Sequence, residues 1–344
     1  MIRRIPEESD KIERDRRATF SLQLHPWGEV QYLCTITIEQ IVFQMLLDTG
    51  SPSIWVSSDL VDRHLWLGKN LLPVEQSPSL RVSQEFFYQL YGLGHVAGVK
   101  ATVDMSLGGM LIRNVPFGMV MGGARDVYEN PFDGVIGLGR RLICPENTNP
   151  VHHFFHQQGL MSRKFGFNFQ DSGSSFVMGD NLEEFLPNHV TYIEVVDGPY
   201  WETRVSWIFI SDTGFYTEDH RMMFDTGTNS IDVPGDTHMA INQVLGIVRV
   251  LNGAYVFDCE MLPSLPSVTF QVQRRKLQIT AKQYTWQKTT NGVTSCFSRF
   301  YNVSPESPVG IILGMSFLHS FQLIFDDEAG RVGFVARQGR SSIF

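Results

Sequence analysis

Short apolar runs separated by turn-forming residues dominate the chain from residue 19 onward. The runs are rich in Val, Ile, Phe and Thr, and in many of them polar and apolar positions alternate. This pattern is typical of half-buried antiparallel β-strands. The predicted strands span residues 32–38, 41–47, 99–107, 164–169, 176–179, 221–224, 267–272 and 331–336.

Helical patterns are few and short. One covers residues 150–158, where a proline opens the run and Gly159 follows it, and the other covers residues 234–245. Proline is favoured at the first helical position and glycine just after the last, so both ends of the first run are marked. The sequence therefore predicts an all-β fold, mainly antiparallel, with a few short helices.

Length and charge narrow the possible functions. The 344 residues allow about two domains. The 28 basic and 36 acidic side chains leave a net charge of −8, which disfavours a nucleic-acid partner because a phosphate backbone needs a basic face. No window approaches the roughly 20 uninterrupted apolar residues of a membrane span. Residues 1–17 mix basic and acidic side chains without an apolar stretch, so we expect a charged tail or pro-segment remnant and no signal peptide in this chain.

A weak internal repeat indicates two similar lobes. In each copy an apolar run leads into Asp-Thr-Gly and a hydroxyl residue, and two aliphatic residues with a glycine follow later. The copies are Asp48-Thr49-Gly50-Ser51 with Val135-Ile136-Gly137, and Asp225-Thr226-Gly227-Thr228 with Ile312-Leu313-Gly314. We expect an N-terminal lobe over residues 18–188 and a C-terminal lobe over residues 189–344.

The repeated aspartate points to acid–base chemistry. A lone buried carboxylate is costly unless it is hydrogen-bonded, and the neighbouring hydroxyls and glycine N–H groups are suited to that task. If the lobes bring Asp48 and Asp225 together, like-charge repulsion leaves one proton shared between them. The ionised carboxylate then takes a proton from water while the protonated one donates to a peptide carbonyl oxygen. This chemistry hydrolyses a peptide bond without a covalent enzyme intermediate.

These motifs resemble those of the pepsin-type aspartic proteases from about residue 32 to residue 336. In that family a tryptophan follows the first aspartate by seven residues, as Trp55 follows Asp48. The family's flap reads Tyr-Gly-Thr-Gly-Ser-x-x-Gly, and here residues 91–98 read Tyr-Gly-Leu-Gly-His-Val-Ala-Gly. Residues 132–138 and 311–314 match two further family segments.

The resemblance implies a bilobal pepsin-like fold and a set of functional residues. Asp48 and Asp225 would be catalytic, and Tyr91 would close over the substrate and hydrogen-bond toward Trp55. The other implied site residues are the dyad supports Thr49, Gly50, Ser51, Thr226, Gly227 and Thr228, the flap residues Gly92 and Leu93, the S1 residues Leu46, Tyr91, Phe132 and Val135, and the S1′ residues Met223 and Ile312.

The resemblance also implies a substrate class and a covalent link. The substrate would be a peptide or protein in extended conformation, cleaved between hydrophobic residues by a monomer that needs no cofactor or metal. Cys259 and Cys296 match a family disulfide, whereas Cys34 and Cys144 are left as free thiols. A disulfide favours the secretory pathway, with a vesicular or extracellular location.

Three other interpretations stay open. A third Asp-Thr-Gly, at Asp212, follows a serine and is better explained as a turn between strands. His152 and His156 have the i, i+4 spacing of a zinc pair, but no third ligand is evident and surface histidines of a helix are the favoured interpretation. The alternative to an active endopeptidase is a catalytically weak or inactive pepsin-like protein that binds peptides.

Overall fold

The computed structural model describes residues 20–92, 94–143, 151–158, 162–180, 182–186, 189–251 and 253–344. The predicted tail at residues 1–17, the flap residue Leu93 and the thiol of Cys144 lie outside these ranges. The described residues form 26 strands and a small number of short helices. The predicted all-β class is confirmed.

The chain divides into two compact units. In the described part of the chain, the first unit contains residues 20–26, 32–166 and 170–182, and the second contains residues 27–31, 167–169 and 183–344. The segment 167–169 groups with the second unit although the sequence predicted a boundary after residue 188. One reason is that the ring of Phe167 packs edge-to-face against Phe325, with centroids 6.0 Å apart.

The elements up to residue 178 are eleven strands and two helices in the described part of the chain. The strands are β1 (Phe20–Gln23), β2 (His25–Trp27), β3 (Gln31–Ile38), β4 (Ile41–Asp48), β5 (Trp55–Ser57), β6 (Arg81–Tyr91), β7 (Gly94–Leu107), β8 (Met110–Gly123), β9 (Gly134–Gly137), β10 (Lys164–Asn168) and β11 (Ser175–Met178), and the helices are α1 (Arg125–Tyr128) and α2 (Val151–Gln157). The main sheet of these strands has the order β2-β3-β4-β9-β5-β8-β7-β6, so β6 lies at an edge. In this sheet β4 pairs with β9 and β5 pairs with β8 in parallel, whereas β3–β4, β5–β9, β6–β7 and β7–β8 are antiparallel.

The elements after residue 190 include a second large sheet and a smaller sheet of four strands. The strands are β12 (Thr191–Glu194), β13 (Glu202–Ile210), β14 (Thr213–Phe224), β15 (Ile231–Val233), β16 (Arg249–Leu251), β17 (Ala254–Phe257), β18 (Val268–Val272), β19 (Arg275–Ile279), β20 (Thr285–Thr290), β21 (Val293–Ser298), β22 (Phe300–Asn302), β23 (Ile311–Leu313), β24 (Phe321–Asp326), β25 (Arg331–Ala336) and β26 (Ser341–Ile343). The helices are α3 (Gly235–Val244), α4 (Ala281–Tyr284) and α5 (Met315–Leu318). The large sheet has the order β22-β15-β23-β14-β13-β18-β19-β26.

Both predicted helices are present. The first is α2, and the second is α3, which begins directly after Pro234 and is capped at its end by Leu245. Proline is suited to this position because the N–H groups of the first helical turn have no partner within the helix. None of the helices in the described part of the chain is long and apolar enough to cross a lipid bilayer.

The third Asp-Thr-Gly is a hairpin turn, as predicted. It joins β13 to β14, where Ile210 pairs with Thr213 and leaves a two-residue loop. Ser211 in this loop has a φ of 51°, and the Asp212 side chain is exposed. Left-handed backbone in a two-residue loop matches the twist of the two strands, so the turn is explained by hairpin geometry alone.

The cysteines follow the sequence-based expectation where they can be compared. Cys259 and Cys296 form a disulfide, so the predicted pairing is confirmed. Cys296 lies in β21. Cys34 lies fully buried in β3 and is not bonded to another cysteine. Burial raises the pKa of the Cys34 thiol to about 12, so it is protonated and unreactive at physiological pH.

A buried histidine predicts a pH dependence of folding. His319 is 4% exposed, and its Nδ1 lies 2.5 Å from the carbonyl oxygen of Met315. Burial, assisted by the charges of Arg340, Arg337 and Arg299, lowers the pKa of His319 from 6.5 to about 4. Between these two pKa values the unfolded chain binds a proton that the folded chain does not. The free energy of unfolding should therefore fall by about 3 kcal/mol as the pH drops from 6.5 to 4.

The His319→Gln variant should lack this contribution. Urea denaturation at several pH values should show that its free energy of unfolding changes about 3 kcal/mol less than that of the wild type across this window. His156→Gln, which changes an exposed histidine, is the matched control and should follow the wild type. Parallel curves for the wild type and His319→Gln would contradict the assignment.

Candidate active site

The first Asp-Thr-Gly loop begins where β4 ends. Asp48 is the last residue of β4 and pairs with Gly137 at the end of the parallel strand β9. The side chain is 5% exposed, and its Oδ1 accepts a hydrogen bond from the N–H of Gly50 at 2.8 Å. A buried carboxylate that accepts a backbone N–H is stabilised in its charged form, which offsets part of the cost of burial.

The glycine of the later segment is required by the packing of this loop. A Cβ atom on Gly137 would lie 2.3 Å from the backbone nitrogen of Ser53 and 2.5 Å from the carbonyl carbon of Pro52. The two chains are this close because the N–H of Gly137 donates to the Ser53 carbonyl at 3.2 Å, and the N–H of Leu138 donates to the Asp48 carbonyl at 2.7 Å. The spacing of the repeat thus reflects a direct contact within the first unit.

The second loop has the same construction within the second unit. Asp225 directly follows β14, is 7% exposed, and donates its backbone N–H to the carbonyl of Leu313 at 3.1 Å. Its Oδ1 accepts the N–H of Gly227 at 2.8 Å, and its Oδ2 accepts the hydroxyl of Thr228 at 2.7 Å. Both carboxylate oxygens of Asp225 are therefore held in place by its own loop.

Gly314 packs under the second loop as Gly137 packs under the first. A Cβ atom there would lie 2.4 Å from the carbonyl oxygens of Thr228 and Ser230. Those two carbonyls accept hydrogen bonds from the N–H groups of Met315 and Gly314, at 2.7 and 2.9 Å. Each unit thus presents a nearly buried carboxylate whose Oδ1 is bound by the N–H two residues ahead. The neighbouring Thr49, Ser51 and Thr226 are buried.

Tyr91, at the end of β6, is tied to the first unit by Trp55. The indole Nε1 of Trp55 donates to the Tyr91 hydroxyl at 2.7 Å, and the indole packs edge-to-face on Phe132 at 6.1 Å. Burial raises the pKa of the Tyr91 phenol well above its usual value, and the charge of Asp48 raises it further. Tyr91 is therefore neutral, and it lies close enough to Asp48 for the charge of that carboxylate to affect its pKa. Gly92 lies in the turn that follows.

The residues expected in S1 lie together in one hydrophobic cluster of the first unit. Leu46, Phe132 and Val135 are in this cluster with Trp55, and the half-buried Tyr91 packs against it. Leu46, Phe132 and Val135 are each less than 8% exposed, so most of their surface packs within the unit. In the second unit Met223 and Ile312 face each other across the parallel pair β14–β23, and Ile312 is the more exposed of the two.

Lys69 lies beside Phe132, one of the residues expected in S1, and was not identified from the sequence. The Lys69 ammonium donates to the carbonyls of Asn130 and Phe132 and lies 5.7 Å from the centre of the Phe132 ring. Burial lowers the pKa of Lys69, and the charge of Asp133 opposes that effect. A single lysine in a loop does not reveal from the sequence that it belongs to the site, because only folding brings it to Phe132.

Three titratable residues of the second unit, Tyr200, Asp232 and Glu202, were also overlooked. Tyr200 and Asp232 are both close enough to Asp225 for its charge to raise their pKa values, although burial is the larger cause for each. Glu202 is fully buried and paired with Arg221. For Asp232 a signal existed in the sequence, since a charged residue stands between Ile231 and Val233 in an otherwise apolar strand.

The histidine cluster does not form the predicted surface of α2. His152 and His153 are buried, whereas His156 is exposed. The His152 ring packs on His153 at 4.7 Å and on Phe165 at 5.2 Å, so aromatic packing draws the first two rings inward. The prediction that His152 and His156 are surface histidines of a helix is wrong for His152, which is buried, whereas His156 is exposed as expected.

The chain is similar to known proteins over most of its length. A family model described as eukaryotic aspartyl protease matches residues 31–337. Napsin-A from Homo sapiens is 27% identical over 318 residues, with 87% of this chain and 75% of napsin-A covered. Cathepsin D from Chionodraco hamatus is 26% identical, with 85% and 77% covered, and cathepsin D from Dictyostelium discoideum is 26% identical, with 96% and 90% covered. The chain belongs to the eukaryotic aspartyl protease family, the pepsin-type aspartic proteases.

Proposed function

We propose that the protein is an aspartic endopeptidase that hydrolyses peptide bonds between hydrophobic residues. The observation that carries the proposal is the duplicated loop: Asp48 and Asp225 are nearly buried, and each Oδ1 accepts the N–H two residues ahead at 2.8 Å. Nearly buried carboxylates held in this way are costly to retain, and they are suited to acid–base catalysis.

The reaction uses the two carboxyls as a pair that shares one proton. The ionised carboxylate accepts a proton from a water molecule, and the oxygen of that water attacks the peptide carbonyl carbon. The protonated carboxyl donates to the carbonyl oxygen, which gives a tetrahedral diol. The carboxyl that took the proton of the water then donates it to the amide nitrogen, and a hydroxyl of the diol returns its proton to the other carboxylate. The C–N bond breaks to give a carboxylic acid and an amine, and the pair is restored without a covalent intermediate. Two like charges at close range favour this single shared proton.

The remaining site residues have positioning roles in the proposal. Tyr91, held by Trp55, covers the bound peptide together with Gly92. The substrate lies extended, with Leu46, Tyr91, Phe132 and Val135 beside one hydrophobic side chain and Met223 and Ile312 beside the next. The protein acts as a monomer without a cofactor. It folds in the secretory pathway, because a disulfide such as Cys259–Cys296 forms and persists in an oxidising compartment.

Substitution of either aspartate tests the proposal. Hydrolysis of a fluorogenic hydrophobic peptide, followed from pH 3 to 7, should fall at least a hundredfold in Asp48→Asn and in Asp225→Asn, because each variant loses one member of the acid–base pair. Asp212→Asn is the matched control, since Asp212 begins an Asp-Thr-Gly that is only a hairpin turn.

The same assay separates the two functions. Turnover that survives both aspartate substitutions contradicts the role of the pair. A wild-type protein that binds the peptide but does not cleave it at any pH in this range indicates the alternative, a pepsin-like peptide-binding protein. Asp212→Asn leaves Asp48 and Asp225 unchanged, so it should keep the activity of the wild type.

A further inference from the structure

A row of five side chains crosses the large sheet of the second unit. Glu202 pairs with Met223, Met223 with Ile312, Ile312 with Asp232, and Asp232 with Tyr301. Residues directly opposite one another in neighbouring strands point to the same face of a sheet. Two acidic residues, Glu202 and Asp232, therefore flank the apolar pair Met223 and Ile312 on one face.

The first of these acids is neutralised within the protein. The Nε of Arg221 donates to Glu202 Oε2 at 2.8 Å, and its Nη2 donates to the other carboxylate oxygen. Arg221 lies two residues before Met223 in β14, so its side chain is on the same face. Glu202 is fully buried, and a buried carboxylate of this kind needs such a bidentate partner.

The second acid has no cation. Asp232 is half-buried, and its Oδ1 accepts a hydrogen bond from the Ser230 hydroxyl at 2.5 Å. In the part of the chain that the structure describes, no basic side chain forms a salt bridge with Asp232, and the negative charge of Asp225 is close enough to act on it. Burial and that charge both raise the pKa of Asp232. Its ionised form therefore lacks the counterion that Glu202 has.

We propose that Asp232 is a specificity-determining residue that binds a lysine or arginine side chain of the peptide substrate. The proposal rests on the proposed function, in which Met223 and Ile312 contact the substrate, because Asp232 is the next residue in their row. A cationic side chain beside the apolar one would supply the missing counterion, and a half-buried carboxylate attracts it more strongly than an exposed one does. The preferred substrate is then hydrophobic at the scissile bond and basic close to it.

Binding of matched peptides tests this proposal independently of catalysis. One hydrophobic peptide is labelled with a fluorophore, and each position flanking its central apolar pair carries Lys, Gln or Glu in turn. Fluorescence anisotropy on the Asp48→Asn variant, which should not consume the peptide, gives the Kd of each at pH 6.5. At one position we expect the Lys peptide to bind about tenfold more tightly than the Gln peptide, and the Glu peptide to bind more weakly than both.

Variants of Asp232 in the same background identify the source of the preference. Asp232→Asn should reduce the Lys-to-Gln ratio of Kd values to less than twofold, Asp232→Glu should retain the preference, and Asp232→Lys should reverse it toward the Glu peptide. Asp212→Asn, which changes an exposed acid of the same unit, should leave the ratio unchanged.

Each outcome decides the proposal. A ratio near one at every position, or a Lys preference that persists in Asp232→Asn, overturns the role of Asp232, as does a protein that binds none of the peptides. A wild-type protein that shows the Lys preference in binding but cleaves no peptide supports Asp232 while contradicting the endopeptidase. Failure of the two proposals is thereby distinguishable.

Discussion

Replacing Gly314 with alanine is expected to lower the free energy of unfolding by about 4 kcal/mol. The new Cβ would lie 2.4 Å from two backbone carbonyl oxygens, those of Thr228 and Ser230, so the backbone must move. Overpacking of this kind typically costs about 1–3 kcal/mol, and the two hydrogen bonds that the same carbonyls accept would be weakened as well. Because these carbonyls belong to the loop after Asp225, peptide hydrolysis should also fall.

Urea denaturation and the peptide assay measure the two effects of Gly314→Ala. Gly122→Ala is the matched control. Gly122 lies in β8, whereas Gly314 directly follows β23, and a Cβ atom on Gly122 would meet no atom within 4 Å. That control should change stability by less than about 1 kcal/mol. Equal stability of the two variants would contradict the close packing of Gly314 against the Asp225 loop.

Removal of the disulfide is expected to have a similar effect on stability. Cys259 and Cys296 are 37 residues apart, and opening a loop of this size costs about 4 kcal/mol in the chain-entropy model. The Cys259→Ser, Cys296→Ser double variant should therefore unfold at a much lower urea concentration than the wild type. Because the bond lies entirely in the second unit, the loss is expected in the unfolding of that unit.

A reducing agent provides the control for this experiment. Reduction should lower the wild-type stability to that of the double variant, and it should leave the double variant unchanged because Cys34 is not disulfide-bonded. A double variant that is as stable as the oxidised wild type would show that the cross-link contributes little. A variant that reductant destabilises further would indicate a second disulfide.

Most of the secondary structure could be predicted from the sequence. The predicted strand at 331–336 coincides with β25 (Arg331–Ala336), and the predicted helix at 234–245 differs from α3 by one residue at each end. These elements are visible because alternating polarity and proline at a helix start act within a few residues. The strand predicted at 221–224 is only the end of β14, since the polar residues before it conceal the rest.

The candidate site was only partly predictable. The two Asp-Thr-Gly loops and their later glycines stand out in the sequence because the motif is duplicated. Lys69 could not be assigned to the site because only folding brings it to Phe132, and the charge of Asp232 in an apolar strand did not indicate that it lies beside Ile312. For the histidines of α2, local spacing indicated a shared surface, but the His152 ring packs on Phe165 and on His153, and both of these histidines are buried.

The sequence by itself determined the β-rich class and the family motifs, since these depend on residues close together in the chain or on a repeated pattern, and the family resemblance implied the Cys259–Cys296 disulfide. Only the tertiary structure decided how near Gly137 and Gly314 come to the aspartate loops, that Trp55 holds the Tyr91 hydroxyl, and that Asp232 stands beside Ile312 without a cation. The physical reason is that steric contact, burial and charge pairing depend on distances in space between residues far apart in the chain.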